Sequence, residues 1–305
     1  MMEYYTLSNG TQMPVMGLGT DDVMYLRKLK TSKNRYIRKI LSIYHRRILK
    51  PILDYQLSNT IAEAIKMGYR LIDTSAAYHN ESAIGRAIRI SGVPREELFI
   101  TTRVTNQQQF NSNIRDGFFK SLKNLGVKYV DLYQFHWPVT GHYLDTWREI
   151  EKLYEEGYIK AIGVANCHIH HIEEILKICK VAPMVNEVEV HPLFSQKPLK
   201  EYCESHNIRM EAYTPLARND ERLKRNKILL SLAEKYKKSP LQIILRWHIE
   251  NGIVPIPRST NSKRLQSNID VFDFKLTKDE VLLIDSININ SRLRYDPDNC
   301  DFTIL

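Results

Sequence analysis

The sequence predicts an α/β fold: a closed barrel of eight parallel strands, each followed by a helix. An N-terminal β-hairpin precedes it and a basic helical insertion follows the first strand. Short apolar runs alternate with segments of helical period along the whole chain. Several of those runs end in a carboxylate, guanidinium or imidazole, as barrel strands do when they carry groups to the C-terminal rim. No Gly-x-Gly-x-x-Gly follows the first strand, which counts against the alternative, a doubly wound open sheet.

Taken in order, Asn9-Gly10 lies between the apolar runs 4–7 and 13–16 and is a hairpin signal. Strands are expected at 15–18, 70–73, 98–103, 129–135, 160–164, 184–189, 209–213 and 253–256. Helical spacing falls near 58–67, 80–91, 111–124, 143–156, 168–179, 198–206, 226–236 and 262–269. Extra helices fit 239–250 and 277–287. No repeat, low-complexity tract or linker divides the chain, so one domain over 1–305 is expected.

Composition narrows the class. A chain of 305 residues with 43% hydrophobic content can bury a large core. No apolar run reaches the roughly 18 residues of a membrane span. The first ten residues lack a basic-then-apolar signal segment. Cys167, Cys179, Cys203 and Cys300 show neither metal-type nor disulfide-type spacing, so reduced thiols and a cytoplasmic location are expected. Of the net charge of +9, the segment 21–53 accounts for 8, with ten basic residues opposed only by Asp21 and Asp22.

The stretch 70–81 is the most informative. A buried-type strand delivers Asp73, and Tyr78 follows five residues later on the loop into the next helix. Arg103 and His136 end two later strands, and Asn166, Glu187, Tyr213 and Arg258 fall at or just beyond others. Each has a plainer reading: a helix cap for Asp73, a packed aromatic for Tyr78, a satisfied core histidine for His136.

In order along the chain, these pieces resemble the aldo-keto reductases, whose fold is the TIM barrel. They are Gly17-Leu18-Gly19-Thr20, Ile72-Asp73-Thr74 with Tyr78 and Asn80-Glu81, and His136-Trp137-Pro138. Gly163-Val164-Ala165-Asn166, the run 188–192, Ala212-Tyr213-Thr214-Pro215-Leu216 and Pro255-Ile256-Pro257-Arg258-Ser259 continue them. The ending, 296–302, is similar to the short tails of bacterial, diketogluconate reductase-like members.

The resemblance implies NADPH-dependent reduction of an aldehyde or ketone to an alcohol. Tyr78 would be the general acid, His136 would hold the carbonyl oxygen, and Asp73 would anchor a cation beneath the phenol. That cation is usually lysine in the family, and here it is Arg103, which keeps the charge but effectively never releases a proton. Weakened or narrowed activity is therefore expected. The alternative is a non-catalytic NADPH-binding or interaction protein on the same barrel. Thr105 stands where the family often has a pocket aromatic.

For the cofactor, the resemblance implies that Tyr213 stacks on the nicotinamide and that Asn166 and Glu187 bind its carboxamide. Serine is commoner at position 165 and glutamine at 187. Arg258, Ser259 and Arg264 would hold the 2′-phosphate, and Asn268 would contact adenine.

Cys167-His168-Ile169-His170-His171 invites a metal reading, but its spacing puts too few ligands on one face and no partner cluster is evident, so no metal is expected. Three readings of 21–53 stay open: a solvated helical lid, a lid that attracts an acidic or phosphorylated substrate, and attachment to an anionic membrane or acidic partner. A monomer acting on a small carbonyl compound, without nucleic acid, is expected.

Overall fold

The computed structural model describes residues 2–21 and 49–304. Most of the basic insertion, 22–48, lies outside the described residues. Strands β1 (Tyr4–Thr6) and β2 (Gln12–Pro14) form the expected hairpin, with Tyr5 opposite Met13. Its tip needs Gly10, whose φ is +88°. Asn9 Nδ2 donates to Lys160 O at 2.8 Å and Tyr5 Oη to Ile249 O at 2.7 Å, which seats the hairpin on the barrel end where strands begin.

The barrel strands are β3 (Gly17–Gly19), β4 (Leu71–Asp73), β5 (Phe99–Val104), β6 (Val130–Phe135), β7 (Ile159–Ala165), β8 (Val185–Glu189), β9 (Arg209–Tyr213) and β10 (Val254–Pro255). They pair in parallel, each with its sequence neighbour. The seam between β10 and β3 is closed by a single bridge, Gly19 to Arg258, with Gly19 N donating to Pro257 O at 3.3 Å. Every residue of β5 and β6 is buried, because helices cover the sheet outside and side chains fill it inside.

Close packing of the helical layer depends on particular small residues. A Cβ on Gly85 would stand 2.2 Å from Leu125 O, so only glycine lets helix Glu81–Ser91 approach helix Ile114–Leu125. Gly17 is similarly tied to Leu71, whose Cδ2 would lie 2.3 Å from an added Cβ.

Two helices depart from the sequence reading. The first runs Lys50–Lys66, starting eight residues earlier than expected. Its opening turns expose Ile52 and Tyr55, so the inward apolar stripe begins only at Leu57. The helix expected at 111–124 starts later, as Ile114–Leu125, and an additional short helix, Asn106–Phe110, precedes it across a turn where Ser112 takes φ +50°. Thr105 starts the short one through a capping box with Gln108. Among the described residues, no helix is long and apolar enough to cross a membrane.

Candidate active site

β4 ends at Asp73, and the loop beyond it is held by polar groups that are themselves buried. Thr20 Oγ1 donates to Asp73 O at 2.8 Å, and Asn80 Nδ2 to Thr20 O at 2.8 Å. Thr74 Oγ1 donates to Asn80 Oδ1 at 2.9 Å. Glu81 accepts from Thr102 Oγ1 at 2.9 Å and from Asn124 Nδ2 at 3.0 Å. Asn80 and Glu81 thus fasten the turn carrying Tyr78 to β3 and β5. Ser75 caps that turn, its Oγ accepting from Ala77 N at 3.2 Å.

Arg103, fully buried near the end of β5, organises the centre. Its Nη1 donates to Tyr78 Oη at 2.9 Å and lies 3.4 Å from Thr74 O. Its Nη2 donates to the carboxylates of both Asp73 and Glu187. Gln134 Nε2 also donates to Glu187, at 2.6 Å. His136 stands edge-on to the phenol, with ring centroids 5.7 Å apart.

Three buried carboxyls meet one guanidinium here. Glu211 pairs with Glu187 across β8 and β9, and among the described residues neither of its oxygens has a hydrogen-bond partner. Burial, then the Glu187 and Asp73 carboxyls, hold Glu211 well above the ordinary carboxylate range. Burial also raises Asp73, against the pull of Arg103. A guanidinium cannot neutralise three carboxylates, and Glu211, which touches no donor, keeps its proton first.

A neighbouring guanidinium on its own favours the phenolate. Burial outweighs the guanidinium and holds Tyr78 well above the usual phenol value, so it is a protonated donor at neutral pH. Burial, with Arg103 and Arg294, pushes His136 down to about 3, leaving a neutral imidazole. Ser75 Oγ lies 3.4 Å from His136 Nδ1. Because Ser75 Oγ already accepts from Ala77, its own proton is available to Nδ1. That favours the tautomer with the proton on Nε2.

Asn166, just past β7, takes φ +59°, a strained region for a non-glycine residue. Its Nδ2 donates to His136 O at 2.9 Å, and its Oδ1 accepts from Tyr213 Oη at 2.6 Å. Arg258, Ser259, Arg264 and Asn268 gather at helix Ser262–Ile269, capped by Asn261. Arg264 Nε lies 3.4 Å from Ser259 Oγ; Arg258 and Arg264 are exposed, and Asn268 is buried. Glu187 instead meets the central guanidinium.

The C-terminal tail covers the rim. Glu189 accepts from Leu293 N at 2.7 Å and Arg294 N at 2.9 Å, and Asn106 Nδ2 donates to Phe302 O at 3.0 Å. Phe302 packs at 6.4 Å from Trp137. The histidine run meets a carboxylate that local spacing could not reveal, Asp298 of this tail. His168 Nδ1 donates to it at 2.8 Å, with His170 and His171 at 3.3 and 3.6 Å. The rings are already committed elsewhere: His168 Nε2 faces the Arg292 guanidinium at 3.1 Å, and His171 Nδ1 accepts from His168 N at 3.1 Å. These bonds make the cluster a tail fastening and leave His168 and His171 poorly disposed to share a cation.

Sequence reasoning missed Ser75, Gln134 and Glu211. Ser75 carried a readable signal, as a serine three residues before the phenol in a capping position; the other two had none.

The sequence profile of the Aldo/keto reductase family matches residues 49–289. The chain is 47% identical over 245 residues to the 9,11-endoperoxide prostaglandin H2 reductase of Trypanosoma cruzi, covering 80% of this chain and 87% of that one. It is 45% identical over 247 residues to the glyoxal reductase of Bacillus subtilis, covering 81% and 89%. Among solved structures, the Bombyx mori aldo-keto reductase in complex with NADP superposes with a TM-score of 0.82 at 31% identity, covering 97% and 96%.

Proposed function

This chain belongs to the aldo/keto reductase family, and we propose that its Tyr78, Arg103, Asp73 and His136 carry the family's carbonyl reduction. The protein is an NADPH-dependent oxidoreductase that converts an aldehyde or ketone to an alcohol. One contact supports the residue assignment most strongly: Arg103 Nη1 at 2.9 Å from a protonated, half-buried Tyr78 Oη, with His136 edge-on beside it.

The donor set suits the cofactor. Arg258 and Arg264 are exposed guanidiniums at a helix start, with the Ser259 hydroxyl beside them, a set that fits a phosphate dianion. In our reading they hold the 2′-phosphate, Asn268 meets adenine, Tyr213 lies under the nicotinamide, and Asn166 takes its carboxamide, while Glu187, committed to Arg103 and Gln134, does not. Bound NADPH supplies the hydride.

The chain's own groups handle the oxygen. His136 Nε2–H donates to the carbonyl and orients it. Tyr78 Oη gives its proton to the oxygen as charge develops there. Arg103 stabilises the negative charge left on the phenol, and Asp73 holds Arg103 in place. The non-catalytic barrel gains nothing from Arg103, since the phenol keeps a cation neighbour. Small dicarbonyls such as glyoxal are the substrates we favour, from the named Bacillus relative. NADPH oxidation against glyoxal and a panel of aldehydes and keto acids tests this; NADPH binding without turnover on any of them would refute it.

The same reading covers one domain over 1–305, a cytoplasmic monomer, and residues 21–53 as a basic segment whose charge draws acidic carbonyl substrates. Removing 22–48 should then raise KM for keto acids and weaken its salt dependence; unchanged salt dependence would count against that role.

A further inference from the structure

We propose that Glu187 is a positioning residue for the reaction, and that Arg103 and Glu187 function only as a pair. The inference rests on the reading of Tyr78 as the proton donor.

The argument begins with reach. Arg103 and Glu187 lie on β5 and β8, three strands apart around the barrel, and both side chains enter its interior. A guanidinium has two terminal nitrogens in a fixed plane. Here they divide the work: Nη2 takes the Asp73 and Glu187 carboxylates, and Nη1 is left for Tyr78 Oη and Thr74 O. Two anions gripping one nitrogen fix the rotation of the whole fork, so the other nitrogen is delivered to the phenol. Gln134 steadies Glu187 by donating to the same oxygen at 2.6 Å.

Both positions also depart from the family pattern: arginine for lysine keeps the charge on a larger, forked group, and glutamate for glutamine keeps the size and adds a charge. Each departure would be costly alone. A lysine at 103 has one nitrogen on a shorter reach, so it could not serve Tyr78, Asp73 and Glu187 together. Glu187 would then be a carboxylate buried without its cation, beside Glu211. It would draw the ammonium away from the phenol. A glutamine at 187, with arginine retained, removes one of the two anions on Nη2 and frees the fork to turn towards Asp73 alone. With lysine and glutamine together, neither fault arises: one ammonium faces one carboxylate and the phenol. Introducing lysine alone should therefore lower activity.

The test compares wild type, Arg103→Lys, Glu187→Gln and the double variant for kcat and KM on glyoxal, with NADPH affinity and thermal midpoint measured on the same four proteins. Each single variant should lose about 10- to 100-fold in kcat, the usual effect of misplacing a reacting group by an ångström or so. KM for glyoxal should stay within about threefold, because Glu187 acts through Arg103 and not on the substrate. The double variant should recover to within about threefold of wild type, a strong departure from additivity.

The proposal is overturned if the losses multiply in the double variant. It is also overturned if Glu187→Gln keeps wild-type kcat, or if coupling appears in the thermal midpoint but not in kcat, which would make Glu187 a structural partner only. Failure of the underlying reading looks different. Wild type would be inactive, or Tyr78→Phe fully active, before any Glu187 variant is compared, and the proposal would fall with it.

Discussion

Arg103 Nη1 stands 2.9 Å from Tyr78 Oη, yet the phenol remains a protonated acid because desolvation outweighs the neighbouring charge. The contact therefore serves the transition state more than the resting one: the cation gains most when the proton leaves.

A pH dependence follows from that relationship. A donor whose pKa is raised keeps its proton below that value, so kcat for reduction should show no falling limb from the phenol below about pH 10. A falling limb centred near pH 8 in kcat against pH would contradict the burial argument.

His136 provides a second check. Pushed down to about 3, its imidazole is neutral across the working range, so neither kcat nor kcat/KM should show a histidine step near the ordinary value of about 6.5. Ser75→Ala removes the hydrogen-bond donor to Nδ1, and kcat/KM should fall about 3- to 10-fold as the Nε2–H tautomer loses its preference. Unchanged kcat/KM in Ser75→Ala would remove Ser75 from this role.

The phosphate end makes its own prediction. Replacing Arg258 or Arg264 singly by methionine should weaken NADPH binding by about 10- to 100-fold while leaving NADH binding nearly unchanged, since each guanidinium–phosphate pair is worth about 1.5–3 kcal/mol. Titration of both nucleotides by fluorescence quenching measures it; equal losses for both would move the 2′-phosphate elsewhere.

Glu211 should shape stability rather than turnover. Burial, with its two carboxyl neighbours, raises its native pKa above the unfolded value. Such a group binds its proton more tightly folded than unfolded. Its contribution is complete below the unfolded carboxylate value and is lost as pH rises through the native one. The thermal midpoint should therefore decline from neutral to alkaline pH, and Glu211→Gln, which cannot ionise, should flatten that slope. An identical slope in the two proteins would mean that Glu211 is already ionised at neutral pH.

Much of this was legible before any coordinates. The eight strands appear within about two residues of their sequence positions because buried parallel strands are short apolar runs bounded by polar loops. Asp73, Arg103 and His136 could be found because they end such runs, and Tyr78 because it follows one on the loop into the next helix. What could not be read is partnership across the barrel. Arg103 and Glu187 are 84 residues apart, and only closure of the sheet brings them together. Glu211 looked like any inward strand residue until the Glu187 and Asp73 carboxyls proved to share its interior. Asp298 gave no local sign of meeting His168. The first helix was placed late because Ile52 and Tyr55 face outward and break the apolar stripe.

The most direct test of the central claim is turnover of NADPH with glyoxal by wild type and Tyr78→Phe, with nucleotide affinity measured in both. The account predicts measurable wild-type turnover, a loss of about 10²- to 10⁴-fold in kcat for Tyr78→Phe, and unchanged NADPH affinity. A Tyr78→Phe protein that turns over as fast as wild type would show that the proton comes from elsewhere and that the Arg103–Tyr78 contact is not the catalytic one.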